Sequence, residues 1–113
     1  MTLQRVITEF GSGNDLHGGD YTKAAVRAVQ DAIHHSSLSL IRSLAVDAKT
    51  MQVEVTIGVP QPDRVDKAAI LAVLPHGTGT VRVVEGGLEI PNDADTSRTV
   101  IANAAAVVRL DIP

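Results

Sequence analysis

Glu9, Asp15, His17 and Asp20 fall within one stretch of twelve residues. Three carboxylates and an imidazole at that density can do two kinds of chemistry. His17, oriented by Asp15 or Glu9, has the side-chain type of a general acid or base near neutral pH, suited to hydrolysis or proton transfer. The same four groups also offer hard oxygen and imidazole ligands for a divalent metal, with a position left for water. Their spacing matches no metal signature, so the metal stands as the alternative and no cofactor is expected.

These residues sit in Phe10-Gly11-Ser12-Gly13-Asn14-Asp15-Leu16-His17-Gly18-Gly19-Asp20-Tyr21, which holds four of the nine glycines and is bracketed by the only Phe and the only Tyr. It reads as a glycine-rich loop. Gly11, Ser12, Gly13, Asn14 and Asp20 would bring backbone and polar groups up to a small polar ligand. Phe10 or Tyr21 would supply an apolar wall and Lys23 an anion contact. A purely structural loop remains open beside this: Asp20 caps a helix, Asn14 or Asp15 makes an Asx turn, and His17 is solvated. A nucleotide phosphate cradle fits poorly. The dinucleotide fingerprint needs Gly where Leu16 stands, and a P-loop from Gly13 to Gly18 needs Lys where Gly19 stands. Asp15 and Asp20 would also repel a phosphate.

The elements that must hold this stretch can be read on either side of it. Leu3 to Phe10 has the pattern of a strand, which places Glu9 at a strand end where α/β sheets meet ligands. From about Tyr21 to His34, Ala25, Val26, Val29, Ala32 and Ile33 form one helical stripe, with Asp20 as N-cap. Leu38 to Lys49 reads equally as a short helix or an irregular crossover. Met51 to Val59 alternates strictly, with Gln52, Glu54 and Thr56 on a polar second face. Pro60-Gln61-Pro62 stops that strand, and Asp63 would cap a second helix over about Arg64 to Leu74. Thr80 to Val84 is a third strand, Gly86-Gly87 a turn or bulge, and Leu88 to Ile90 its continuation. Pro91 to Arg98 is a polar loop. Thr99 to Ile112 is the last strand, apolar at every even position.

This order predicts one α+β domain over residues 1–113. It would be a two-layer α/β sandwich, with two helices on one face of a four- to five-stranded mixed sheet. The half-polar second face, with Asn103 on the last strand, points to a homo-oligomer, a trimer or higher, in which Asn103 reaches across a subunit boundary or into the site. His34, His35 and His76 read as surface or helix-end residues.

At 113 residues the chain can bury a core without staples, and aromatics at 2% make that core aliphatic. A net charge of -3 with scattered basic residues argues against nucleic acid. The absence of cysteine removes disulfides, thiolate catalysis and Cys-based zinc sites. No apolar run is long enough for a membrane span, so the default expectation is a cytoplasmic protein.

The run Glu9 to Ala25, continued by Arg27-Ala28-Val29-Gln30-Asp31-Ala32-Ile33, resembles the signature of a small bacterial family of "Lin"-type conserved hypothetical proteins. Val59-Pro60-Gln61-Pro62, Leu74-Pro75-His76-Gly77, Val84-Glu85-Gly86-Gly87-Leu88 and Ile101-Ala102-Asn103-Ala104 are similar to its later segments. The resemblance spans nearly the whole chain and carries no established activity. More weakly, the element order is similar to trimeric chorismate-mutase-like and RidA-like folds, which place polar ligands between subunits; their catalytic arginine patterns are not found here. The expectation is a small oligomeric protein that binds or transforms a small polar metabolite at the Gly11–Asp20 loop, near a subunit interface. The alternative is a non-catalytic oligomeric binding or structural subunit. His17→Ala and Asp15→Ala separate the two, since only in the first should ligand stabilisation vanish while thermal stability holds.

Overall fold

The computed structural model describes residues 2–16, 18–34, 51–74 and 78–112. His17, the 38–49 segment, His35 and the 75–77 segment with His76 lie outside the described residues. The described chain runs β1 (Thr2–Asp15), α1 (Tyr21–His34), β2 (Gln52–Val59), a 3-10 turn (Pro62–Arg64), α2 (Lys67–Ala72), β3 (Thr78–Glu85), β4 (Leu88–Pro91) and β5 (Arg98–Ile112). The five strands form one mixed sheet in the order β1-β5-β2-β3, with β4 also paired to β5. The α+β, two-layer class therefore holds.

β2 and β3 are parallel, joined through α2, while β5 runs antiparallel to β1, β2 and β4. β5 pairs with β2 over Asn103–Arg109 and with β4 over Arg98–Ile101. β4 thus occupies the lane that β2 vacates. The turn at Gly86-Gly87 makes this switch. Gly87 has φ +64, and a side chain there would run into the Ile101 carbonyl.

Alternation sorts the residues between the two faces. Val53, Val55, Ile57 and Val59 of β2 and Val100, Ala102, Ala104, Ala106, Val108 and Leu110 of β5 are buried toward the helices. They meet Ala24, Ala25, Ala28, Val29 and Ala32 of α1. Four of those five are alanines, so α1 can lie very close to the sheet. Gly11 and Gly13 of β1 extend that closeness. A Cβ on Gly11 would collide with backbone atoms of Ala28 and Ala32, and one on Gly13 would stand 2.5 Å from the Ala24 carbonyl oxygen. Glycines two apart on a strand thus fit alanines four apart on a helix, because both spacings repeat on one face.

That fit corrects the expected loop. Gly11 to Asp15 is not a loop but the second half of β1, in register with Ala104 to Val100. The connection to α1 is only Leu16 to Asp20. The outer edge of β1 is covered by α1 side chains there: the Ser12 N–H donates to Asp31 Oδ2 at 3.0 Å, and Arg27 Nη1 donates to the Asn14 carbonyl at 2.7 Å. Polar side chains thus satisfy backbone groups that an edge strand leaves open.

The second helix also differs from expectation. Pro62–Arg64 makes a 3-10 turn, Val65 is extended at φ -89 and ψ 128, and Asp66 rather than Asp63 caps α2 by accepting from the Ala68 N–H at 3.0 Å. Ile70 alone is fully buried on this short helix. Among the described residues no helix is long and apolar enough to cross a membrane.

Candidate functional site

The turn after β1 is held by Asp15. Asp15 is 6% exposed, and its carboxylate accepts from the Asp20 N–H at 2.9 Å, with Lys23 Nζ at 3.7 Å. The Asp20 N–H, with smaller help from Lys23, Gly18 and Arg27, holds its pKa below the usual value against the opposing effect of burial. Asp15 is thus an ionised strut and a poor proton acceptor. Asp20 caps α1, as its place before the helical stripe implies, by accepting from the Lys23 N–H at 3.0 Å. Thr99 Oγ1 donates to the Leu16 carbonyl at 3.0 Å and pins the turn to β5.

A polar cleft of about 420 Å³ opens beside this turn, lined in part by Gly18, Gly19, Tyr21, Gln61, Arg64 and Arg98. Its floor is Tyr21, the first residue of α1, which is 5% exposed. The Tyr21 hydroxyl donates to Glu89 Oε1 and accepts from Gln61 Nε2 at 2.7 Å. Glu89 Oε2 takes Arg98 Nη1 at 3.2 Å, and Arg98 Nη2 reaches Asp95 Oδ1 at 3.4 Å. Arg64 lies over the Tyr21 ring, its guanidinium carbon 5.3 Å from the ring centre. Burial raises the Tyr21 pKa above its ordinary value, and the bond to Glu89 raises it further. The phenol stays protonated and fixed at neutral pH.

Each member is placed by its own element. β4 turns Glu89 to the helix side, opposite buried Val100. The 92–97 loop is braced by Asn92, whose Oδ1 accepts from the Thr96 N–H at 2.9 Å and the Ser97 N–H at 3.3 Å. Asp95 sits there at φ 53, a conformation Asp tolerates better than most residues. The Thr22 hydroxyl donates to the Arg64 carbonyl at 3.4 Å and accepts from the Asp66 N–H at 2.9 Å, which ties the Arg64 turn to the start of α1.

Of the residues singled out from sequence, only Tyr21 joins this network, though the cleft borders the expected turn. Glu9 is six residues from Asp15 on one extended strand, about 20 Å away at ~3.3 Å per residue. Glu9, Asp15 and Asp20 therefore cannot converge on one metal or one reacting atom, and Glu9 cannot orient a base beside Asp15. Among the described residues no group of three or more His, Asp or Glu could hold a metal ion. Gly11 and Gly13 face α1, not a ligand. Ser12, Asn14 and Asn103 share the opposite, open face of the sheet, where Ser12 pairs with Asn103. Lys23 pairs with Asp15 on the other side of the turn, where Asp15, Leu16, Gly18, Asp20, Lys23 and Arg27 line a second cleft. Sequence reasoning missed Gln61, Arg64, Glu89 and Arg98. The one signal for them was polar residues in conspicuous places: Gln61 between two prolines, and Arg98 closing a polar loop just before a strand.

Residues 5–108 match a family described as "Conserved hypothetical protein (Lin0512_fam)". The chain is also similar to an FtsZ-like protein of unknown function from Nostoc punctiforme PCC 73102. That crystal structure superposes with a TM-score of 0.84 at 34% identity, over 98% of each chain. A search of curated proteins finds no match. The comparisons do not show the weaker likeness to chorismate-mutase-like or RidA-like proteins.

Proposed function

The chain belongs to the conserved hypothetical family Lin0512_fam, and we propose that it binds a small polar metabolite in the cleft over Tyr21. The observation that carries this reading is the network Gln61–Tyr21–Glu89–Arg98. It joins four segments of the chain at the floor of one open polar cleft, where a merely structural ion pair needs only two. Binding is favoured over hydrolysis or proton transfer by the state of the described groups. Tyr21 is held protonated, and Glu89 and Asp95 are both engaged by Arg98. The test is a thermal-shift screen of polar metabolites against the wild type and Ser97→Trp, which fills the cleft from its rim. At least one compound should stabilise the wild type and fail on the variant. A compound that stabilises both equally binds elsewhere and sinks the reading.

A second reading concerns self-association through the open sheet face. Four exposed large apolar residues lie there: Leu3, Phe10, Leu88 and Ile90, opposite Asp111, Ala105, Ile101 and Thr99 respectively. Phe10 is 69% exposed. Apolar groups gathered on one face mark an interaction surface more often than the same groups scattered. Light scattering should find an oligomer that Phe10→Lys reduces to monomer; a monomeric wild type contradicts this.

A further inference from the structure

This inference rests on the cleft reading and narrows it to a chemical class. The carboxylates and the phenol in the cleft already have donors. Glu89 takes the Tyr21 hydroxyl and Arg98, Asp95 takes Arg98, and the Tyr21 oxygen takes Gln61. The donors are not all used. Among the described residues the Arg64 guanidinium has no hydrogen bond and no carboxylate partner; its contact is the Tyr21 ring beneath it. A guanidinium carries five N–H donors in a rigid fork and keeps its charge at any working pH.

Arg64 is held in place from behind. Its backbone sits in the 3-10 turn closed by Val65 N–H to the Pro62 carbonyl at 3.2 Å, and the Thr22 hydroxyl anchors its carbonyl. An aromatic face under a guanidinium leaves the edge of the fork open to two parallel N–H···O bonds. The Ser97 hydroxyl lines the same cleft. What the cleft lacks is therefore a negatively charged acceptor. An added cation would have to compete with Arg98 for Glu89 and Asp95.

We propose that the ligand carries an oxyanion, a carboxylate or a phosphate, and that Arg64 is its main charged donor. Arg98 contributes from its paired position on Glu89, which the Tyr21 hydroxyl holds at the half-buried cleft floor.

Inorganic phosphate and succinate, titrated calorimetrically into the full chain at constant ionic strength, are the probes. Succinamide, the neutral counterpart of succinate, is the control. At least one oxyanion should bind where succinamide does not, and the tighter of the two assigns phosphate or carboxylate as the source. Arg64→Gln should weaken that binding about tenfold or more, the size of a lost charge-assisted hydrogen bond. Its melting temperature should stay near wild type, because Arg64 is exposed. Ser12→Ala, on the opposite face of the sheet, should bind as wild type. The anion assignment is overturned if neither oxyanion binds beyond matched chloride, or if Arg64→Gln binds as wild type. If succinamide binds as tightly as succinate, and Ser97→Trp abolishes both, the anion class fails while the cleft reading stands. If Ser97→Trp leaves oxyanion binding intact, both fail.

Discussion

Gly13→Ala adds one methyl group at the tightest point between α1 and β1. The new Cβ would lie 2.5 Å from the Ala24 carbonyl oxygen and 2.6 Å from the Arg27 carbonyl carbon, with the Ala28 nitrogen nearer still. Comfortable contacts between such atoms need about 3.5 Å, so α1 must retreat by roughly 1 Å. Every obstacle is helix backbone, and no rotamer change can relieve it. Overpacking of this kind destabilises by about 1–3 kcal/mol, and rigid obstacles put this site at about 3 kcal/mol. Replacing glycine in a strand returns about 0.5–1 kcal/mol through the unfolded chain. The net loss is roughly 2 kcal/mol. With a urea slope of about 1.5 kcal/mol/M, the unfolding midpoint should fall by roughly 1.3 M at unchanged slope. A midpoint within about 0.3 M of wild type would refute the close-packing account. Reduced ligand binding at unchanged stability would instead restore Gly13 to a ligand-facing role.

Tyr21→Phe leaves Glu89 without its hydroxyl donor and Gln61 without its acceptor in a part-buried network. It should lower stability by about 1–3 kcal/mol in urea melts. In the wild type, phenolate absorbance should titrate above the ordinary tyrosine range, and Glu89→Gln should bring it down toward that range. A pKa raised on folding contributes stability that is present below the unfolded value of 10.0 and lost as pH rises through the folded value, so alkaline unfolding should come earlier in wild type than in Tyr21→Phe relative to their neutral-pH stabilities. Asp15 runs the other way. Its pKa is lowered from 3.8, so its contribution is present above that value and lost as pH falls through the folded pKa. Asp15→Asn should therefore destabilise by about 2 kcal/mol at pH 7, with the gap to wild type closing in acid. Asp66→Ala should cost about 1 kcal/mol and Asp63→Ala nearly nothing, since only Asp66 caps α2.

Periodicity carried the sheet and the long helix. The apolar positions from Met51 to Val59 and the even positions of β5 from Val100 to Leu110 lie buried as their patterns require, and Asp20 caps α1. The glycines misled because Gly-rich sequence ordinarily marks a turn. Gly11 and Gly13 are legible as strand only when set against Ala24, Ala28 and Ala32, since what they serve are helix residues eleven or more positions away. The cleft was hidden for a related reason. Gln61, Arg64, Glu89 and Arg98 are spread over three segments with no shared spacing, and only the sheet order brings β4 and the start of β5 to Tyr21. Chemical groups dense in sequence need not meet in space, and here Glu9 and Asp15 are stretched out along one strand while Asp20 caps α1.

The cleft assignment is tested most directly by amide chemical shifts recorded while inorganic phosphate or succinate is added to the isotope-labelled chain. The account predicts saturating shifts concentrated at Gly18, Gly19, Tyr21, Arg64, Ser97 and Arg98, with Gly11, Gly13 and Asn103 still. Saturating shifts at Gly11, Gly13 or Asn103, with the cleft residues unmoved, would contradict it.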